Sequence, residues 1–330
     1  MKWSRATGAT LLGIIAGSAL AAPVLTTHSP VRQYVEYPQA PPMWPRIIDR
    51  DGQVRRPFVY PIRLVDRLER RYEEDRDRPM TIRWFAGGAI ASVDETERPW
   101  FLLGTDPVGR DVLTRVLFGT RLTLSVACLA AIGALLLGVA IGAPAGFLGG
   151  RIDTGLMALA DFVLVLPAMY LVLAIRAALP LVLSVPQVFA ALTVILMAAG
   201  WPLAARGVRV IVRSERRKEY AEAAYAVGAG RLRILLRHLL PAATGFLVVT
   251  GTMLVPAFIL AESTLSLVGF GFPVPTATWG TLLRDAWESQ AFVEAPWLMA
   301  PAAAVTLTVL SLHLVAADRD EEAGRAGTFF

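Results

Sequence analysis

The stretch from Arg206 to Pro241 restricts the fold more than any other part of this chain. Strongly apolar segments flank it on both sides, yet it carries nine Arg or Lys residues against three Glu, a local net charge of +6. Two apolar runs joined by so basic a connection read as two membrane spans and their loop. A Lys/Arg bias in a short loop marks the cytoplasmic side. Within the loop, Glu219 to Val227 is rich in Ala and Glu, both good helix formers. Gly228 follows as a stop, because glycine takes the positive φ that ends helices. Arg231 to Leu240 reads as a second helix, closed by Pro241. The small Ala side chains let another surface approach this hairpin closely.

Composition agrees with the membrane class. Of 330 residues, 55% are hydrophobic, too many for an ordinary soluble domain. The overall charge of +5 is of the sign that nucleic acid attracts. Its excess lies mainly in the one loop, however, so topology accounts for it and no nucleic-acid partner is expected. Cys128 is the single cysteine, which excludes an intrachain disulfide. His28, His238 and His313 fall in three separate segments, which gives a metal site little support.

In chain order, Lys2 and Arg5 precede an apolar run from Ala6 to Leu25, close to the ~20 residues that a spanning helix needs. Ala19-Leu20-Ala21 resembles a signal-peptidase site, so a cleaved signal peptide competes with a retained anchor. On either reading, the residues after Thr26 leave the cytoplasm. Thr26 to Gly104 is polar and Pro-rich near Pro38 to Pro45; its Arg residues do not offend the orientation rule, which long translocated segments escape. Ile62, Val65, Leu68 and Tyr72 recur at helical spacing, with Asp66 and Arg70 four apart, which predicts a small amphipathic helix. Such a segment is a solvated cover over the core or a contact for a substrate or partner. Asp106-Pro107 then starts a turn or helix, and Arg110 beside Asp111 offers local ion pairing.

Further apolar runs follow: Leu122 to Ala145, rich in Gly and Ala as close packing in lipid prefers; Thr154 to Leu179, interrupted by Pro167; Val188 to Ala205; Ala242 to Val268; and Pro296 to Ala317. With the first run they make six helices. An even number returns the tail to the side of Lys2, and the basic loop then falls inside. Trp287 and Trp297 read as an interfacial aromatic belt, and Gly269 to Pro275 with Trp279 as an outer loop.

The sequence E-Y-A-E-A-A-Y-A-V-G-A-G-R-L-R-I-L-L-R-H-L-L-P, Glu219 to Pro241, resembles the EAA loop of ABC importer membrane subunits. The resemblance implies that Glu219, Ala223, Ala224, Gly228, Arg237 and Pro241 couple this chain to a cytoplasmic ATPase. Gly104-Thr105-Asp106 with Gly109, Arg110, Asp111, Arg115, Gly119 and Arg121 is similar to the dipeptide/oligopeptide/nickel permease branch, C-type subunit. Gly149, Gly150, Asp153, Asp161 and Pro167, then Trp201-Pro202 with Ala205 and Arg206, and Ala261 to Gly271, also resemble that branch. The resemblance covers about Gly104 to Leu314. Gly230 and Ala242 depart from the more usual Ser and Asn, and Val315 to Asp320 matches the family ending only loosely.

The resemblance implies an all-α polytopic membrane fold, type I ABC importer-like, with six transmembrane helices and an extracytoplasmic insertion after the first. Residues 1–25 would be the anchor and 26–104 the extracytoplasmic segment. Residues 105–317 would be the transmembrane domain, with the loop at 206–241, and 318–330 a cytoplasmic tail. Implied partners are a homologous second permease subunit, two ATPase subunits or domains, an extracytoplasmic solute-binding protein and the lipid bilayer. The chain would hold no cofactor itself, ATP and Mg being bound by the partner subunits. The implied setting is the bacterial inner membrane with both termini cytoplasmic, and the implied cargo is peptide, nickel or another small solute.

The residues fit a non-enzyme. A phosphate-binding loop needs Gly-Lys-Ser/Thr, and the two lysines, Lys2 and Lys218, follow Met1 and Arg217. Two carboxylates, Asp161 and Glu262, stand in or beside apolar runs, where an ionisable group is expensive and functional by default. Both are candidates for the translocation pathway or its gate. Asp161 is alternatively the structural partner of a basic loop residue, and Glu262 a hydrogen-bonding residue between helices. A self-sufficient secondary transporter would instead show internal inverted repeats; none is visible.

Overall fold

A computed structural model of the chain describes residues 2–50, 52–86, 88, 90–93, 98–166, 168–180, 182–289 and 294–326. They are mostly helical. Helices α1 (Lys2–Leu20) and α2 (Ala22–Leu25) precede seven short strands. The strands are β1 (Arg46–Ile48), β2 (Val54–Val59), β3 (Ile62–Asp66), β4 (Arg71–Glu74), β5 (Met80–Thr81), β6 (Arg83–Trp84) and β7 (Ala91–Ser92). The remaining α-helices are α3 (Val112–Leu148), α4 (Gly150–Val165), α5 (Ala168–Ala178), α6 (Val185–Glu215), α7 (Glu219–Ala226), α8 (Arg231–Ile234), α9 (Thr244–Leu267), α10 (Trp279–Glu288) and α11 (Ala300–Ala326).

Among the described residues, four helical stretches are long and apolar enough to cross a membrane: Val112–Leu148, Val185–Glu215, Arg231–Leu267 and Pro296–Ala316. Ala6–Leu20 is a shorter apolar helix. The expected span from Thr154 to Leu179 is divided into α4 and α5. Leu166, between them, is extended at φ −74° and ψ 126°. A residue that precedes proline is pushed out of the helical region by the proline ring, and Pro167, itself outside the described residues, follows Leu166.

Pro241 does not close a helix as its position suggested. A π-helical turn (Leu235–Leu239) and a 3-10 turn (Leu240–Ala243) carry the chain through it into α9. Proline lacks an N–H and its ring collides with the carbonyl four residues back. A widened turn absorbs that collision without ending the helix.

The all-α expectation fails between residues 46 and 92. Strands β1, β2 and β5 form one antiparallel sheet in the order β1-β2-β5, and β3-β4 and β6-β7 are two-stranded. The predicted amphipathic helix around Ile62 to Tyr72 is the β3–β4 hairpin, with Leu64 opposite Tyr72 and Asp66 opposite Arg71. Asp66 does not pair with Arg70 along a helix. Its carboxylate accepts the backbone N–H groups of Leu68 and Glu69, which closes the turn. Those bonds hold its pKa below the ordinary value. Arg70 completes the turn at φ +49°.

The chain packs as two compact units. One comprises Met1–Thr10, Leu124–Glu262 and Val309–Phe330. Here α3 and α6 touch backbone to backbone: a Cβ on Gly142 would lie 2.3 Å from the carbonyl oxygen of Ala205. Only glycine permits that approach. The small residues Ala145, Ala160 and Ala205 close the same region around Met157 and Trp201.

The other unit comprises Leu11–Thr123 and Ser263–Thr308. Its β-rich part has an apolar core of Met43, Val59, Ile62, Met80, Ile82 and Phe101. The stretch after residue 104 is tied to it: Thr105 N–H donates to the Ala40 carbonyl at 2.9 Å and Tyr34 N–H to the Gly109 carbonyl at 2.9 Å. Arg110 is not paired with Asp111. It donates to Asp106 at 2.6 Å and to Asp285 at 3.0 Å. Arg115 donates to the same two carboxylates. Asp111 instead caps α3 by accepting Thr114 N–H at 2.9 Å. Trp297 is also more than a belt residue, since its Nε1 donates to the Thr105 carbonyl at 3.0 Å.

Candidate coupling loop

Helix α6 ends in the charged stretch, where the Arg216 guanidinium donates to the Phe147 carbonyl. Glu215 then accepts from Lys218 at 2.9 Å and from the Tyr220 hydroxyl at 2.6 Å. The same hydroxyl lies 3.4 Å from the His238 carbonyl. Tyr220 thus links the end of α6 to both arms of the hairpin. Its partial burial and then its bond to Glu215 push its pKa up to about 12, so it remains a donor at any physiological pH.

Helix α7 begins with Glu219 and Glu222 in its first turn, where negative charge favours the positive end of the helix dipole. Its inner face is small. Ala221 is fully buried among Val208, Val212, Ile234 and Leu239, and Ala224 packs on the same cluster. The helix ends at Gly228, φ +80°. Gly228 N–H donates to the Tyr225 carbonyl at 3.0 Å and Ala229 N–H to the Ala224 carbonyl at 3.1 Å. This pair of bonds is the glycine-terminated Schellman motif. A Cβ at Gly228 would meet nothing within 4 Å.

The expected coupling residues divide into two groups. Glu219, Ala223, Gly228, Arg237 and Pro241 are exposed, whereas Ala224 is half-buried against the cluster beneath. Ala224 therefore seats the hairpin, and the others stand on its outer surface. Sequence reasoning missed the apolar part of that surface. Val227 is 84% exposed and Leu232 is 68% exposed. A helical period that reads exposed and buried apolar residues alike could not separate these from the core.

Asp161 and Glu262 are not part of this loop. Asp161 on α4 is bound by Arg206 of α6, with Arg206 Nε at 2.9 Å, so it pairs with the first basic residue of the charged stretch. Glu262, near the end of α9, has no exposed surface at all. It is enclosed by this chain. A second carboxylate on α4 escaped notice as a charge partner: Asp153 accepts Arg209 Nη2 at 2.6 Å and faces Arg213 at 3.5 Å.

Residues 134–317 match the family described as the binding-protein-dependent transport system inner membrane component. The chain belongs to this family. It is therefore a multi-pass inner-membrane permease subunit of the ABC type, a transport subunit and not an enzyme. It is 36% identical over 217 residues to the oligopeptide transport system permease protein OppC of Bacillus subtilis, covering 66% of this chain and 68% of that relative. It is 37% identical over 218 residues to the dipeptide transport system permease protein DppC of the same species, covering 66% and 65%. It is 34% identical over 219 residues to the di/tripeptide transport system permease protein DppC of Pseudomonas aeruginosa, covering 65% and 69%.

Proposed function

We propose that this permease subunit imports peptides, delivered by an extracytoplasmic binding protein and driven by ATPase subunits that dock on the α7–α8 hairpin. The observation that carries the reading is the hairpin's outer face. Charged and apolar side chains stand exposed on a turn whose inner face is fully packed, between two stretches able to span a membrane. The family supplies the general need for an ATPase and a binding protein, and the names of the relatives supply peptide as the cargo.

The finer topology belongs to the same proposal. Residues 1–25, carrying α1, act as an anchor, and residues 154–179, in α4 and α5, complete a sixth span in two pieces. Residues 26–104 stand outside, 105–317 form the transmembrane domain with the 206–241 loop inside, and 318–330 end in the cytoplasm. The functional unit pairs this chain with a homologous second permease subunit and two ATPase subunits, which hold ATP and Mg. Glu219, Ala223, Gly228, Arg237 and Pro241 form the docking surface, with Ala224 beneath it. Asp161, held by Arg206, and Glu262, fully buried, are the candidates for the translocation pathway or its gate.

The experiment is reconstitution of the complex in vesicles with its binding protein. Peptide-dependent ATP hydrolysis with accumulation of labelled peptide is the expected result. Accumulation of nickel in place of peptide would overturn the cargo. Transport without any ATPase subunit would overturn the drive. An impermeant thiol reagent should label a cysteine placed at Gln53 in intact cells and not one at Ser214; the reverse pattern would overturn the topology.

A further inference from the structure

A groove runs across the β-rich unit, made of two adjoining hollows of about 270 and 390 Å³ that share Glu36, Tyr37 and Arg98. Arg63 and Arg67 of the β3–β4 hairpin complete the first hollow, and Arg32 with Tyr34 and Val35 the second. Four arginines thus meet one glutamate along a single groove. All of these residues belong to the same compact unit. None of them takes part in the coupling loop or in the buried pairs of Asp106 and Asp285.

The positive charge is not cancelled from within. Arg63 and Arg67 are exposed, and among the described residues no carboxylate forms an ion pair with either. Glu73 stands opposite Arg63 in the hairpin but lines neither hollow. Arg98 donates to Asp75 at 3.1 Å, which uses one of its five N–H groups. Arg32 lies over the Tyr34 ring, 4.7 Å from its centre, so stacking holds its charge at the groove. Burial raises the Tyr37 pKa against the pull of Arg98, and the ring stays uncharged among the cations. Val35 is 83% exposed. Arginine and tyrosine beside an exposed aliphatic side chain are the make-up of a protein interface, and the sign of the charge calls for an acidic partner.

We infer that this groove receives an acidic segment of the solute-binding protein, which makes residues 26–104 a docking element and not only a cover. The inference rests on the proposed topology. With residues 26–104 outside, the ATPase subunits lie across the membrane from the groove, and the binding protein is the partner that reaches it from the aqueous phase. The four arginines then steer a negatively charged surface toward the permease. Steering of that kind acts on the rate of association more than on the lifetime of the complex.

The test uses the purified complex in nanodiscs, with its own peptide-loaded solute-binding protein as the probe. Arg63→Glu with Arg67→Glu reverses two exposed charges, and thermal unfolding checks that the double variant stays folded. Its association rate constant should fall about ten-fold at low salt, and the dependence of that rate on salt should flatten. Arg78→Glu reverses an exposed charge outside the groove and should leave the rate nearly unchanged. An unchanged rate in the double variant, or an equal fall in Arg78→Glu, would overturn the inference. A photo-crosslinker at Val35 gives a second measurement that needs no charge reversal. Capture of an acidic segment of the binding protein is the expected result. No capture, or capture of lipid or of the second permease subunit instead, would overturn the inference. Peptide uptake at saturating binding protein is scored in parallel. Uptake that persists while the rate and the crosslink fail leaves the proposed function standing and removes only this inference.

Discussion

Two charged regions of this permease subunit are built on opposite terms. The network of Asp106, Arg110, Arg115 and Asp285 is buried: the Arg115 and Asp106 side chains are each 1% exposed. The charges of the α7–α8 hairpin stand in the open: Glu219, Glu222, Arg231, Arg233 and Arg237 are exposed, and Lys218 is 55% exposed. Buried charges must be complete, because removing one partner strands the other in a poor dielectric. Exposed charges are already solvated and gain little from each other. Charge in the first region serves the fold, and charge in the second is left in solvent.

Breaking the buried network should have the largest effect. Arg115→Met keeps the volume but deprives both Asp106 and Asp285 of a donor, and should cost about 3 to 5 kcal/mol. The readout is the yield and thermal unfolding of detergent-solubilised protein. A variant as stable as the wild type would show that the network does not hold the fold.

Asp153 lies between the two extremes. It is buried, while its partners Arg209 and Arg213 are progressively more exposed. The hydrogen bonds from Arg209 and, after the opposing effect of burial, the charges of Arg209 and Arg213 hold its carboxyl below the ordinary value. A carboxylate whose folded pKa is depressed contributes stability that is present above its unfolded pKa. That contribution is lost as pH falls through the folded pKa. Asp153→Asn should therefore cost roughly 1.5 to 3 kcal/mol at neutral pH and flatten the acid limb of a thermal-stability profile. An unchanged acid limb would remove Asp153 from the account.

The smallest effect belongs to the open region. Lys218 is 55% exposed and its partner Glu215, 15% exposed, keeps its bond from Tyr220, so Lys218→Ala should alter stability by less than about 1 kcal/mol. A large loss of folded protein here would erase the contrast between the regions.

Much of the hairpin was legible because its signals are local. Ala and Glu between Glu219 and Ala226, then a glycine that takes positive φ, specify a helix and its stop without help from distant residues. Pro241 was misread because a proline's local veto can be absorbed by one widened turn, which depends on the packing of Leu235 and Leu239. The β3–β4 hairpin was illegible for a related reason. Its turn contains no Gly, Pro or Asn between Arg67 and Arg70, and is closed instead by the Asp66 carboxylate. Ile62, Val65, Leu68 and Tyr72 match a helical period by coincidence; Leu68 in fact sits in the turn with its side chain 97% exposed. Asp285 could not be read at all as a partner of Arg115, since 170 residues separate them. The Asp161–Arg206 pair was half legible: the charge sign was visible, the particular arginine was not.

Gly228 decides whether the open hairpin face couples this chain to an ATPase. Because a Cβ there meets nothing within 4 Å of the chain itself, and Asn tolerates positive φ, Gly228→Asn should fold normally. Any loss of coupling in it then comes from a surface outside this chain. The measurement is ligand-stimulated ATP hydrolysis together with peptide uptake in reconstituted vesicles, for Gly228→Asn and for the Gly228→Asp, Glu219→Lys double variant. Both should be well folded, with stimulation reduced in Gly228→Asn and abolished in the double variant, while the binding protein takes up peptide normally. Wild-type stimulation and uptake in the well-folded double variant would contradict it.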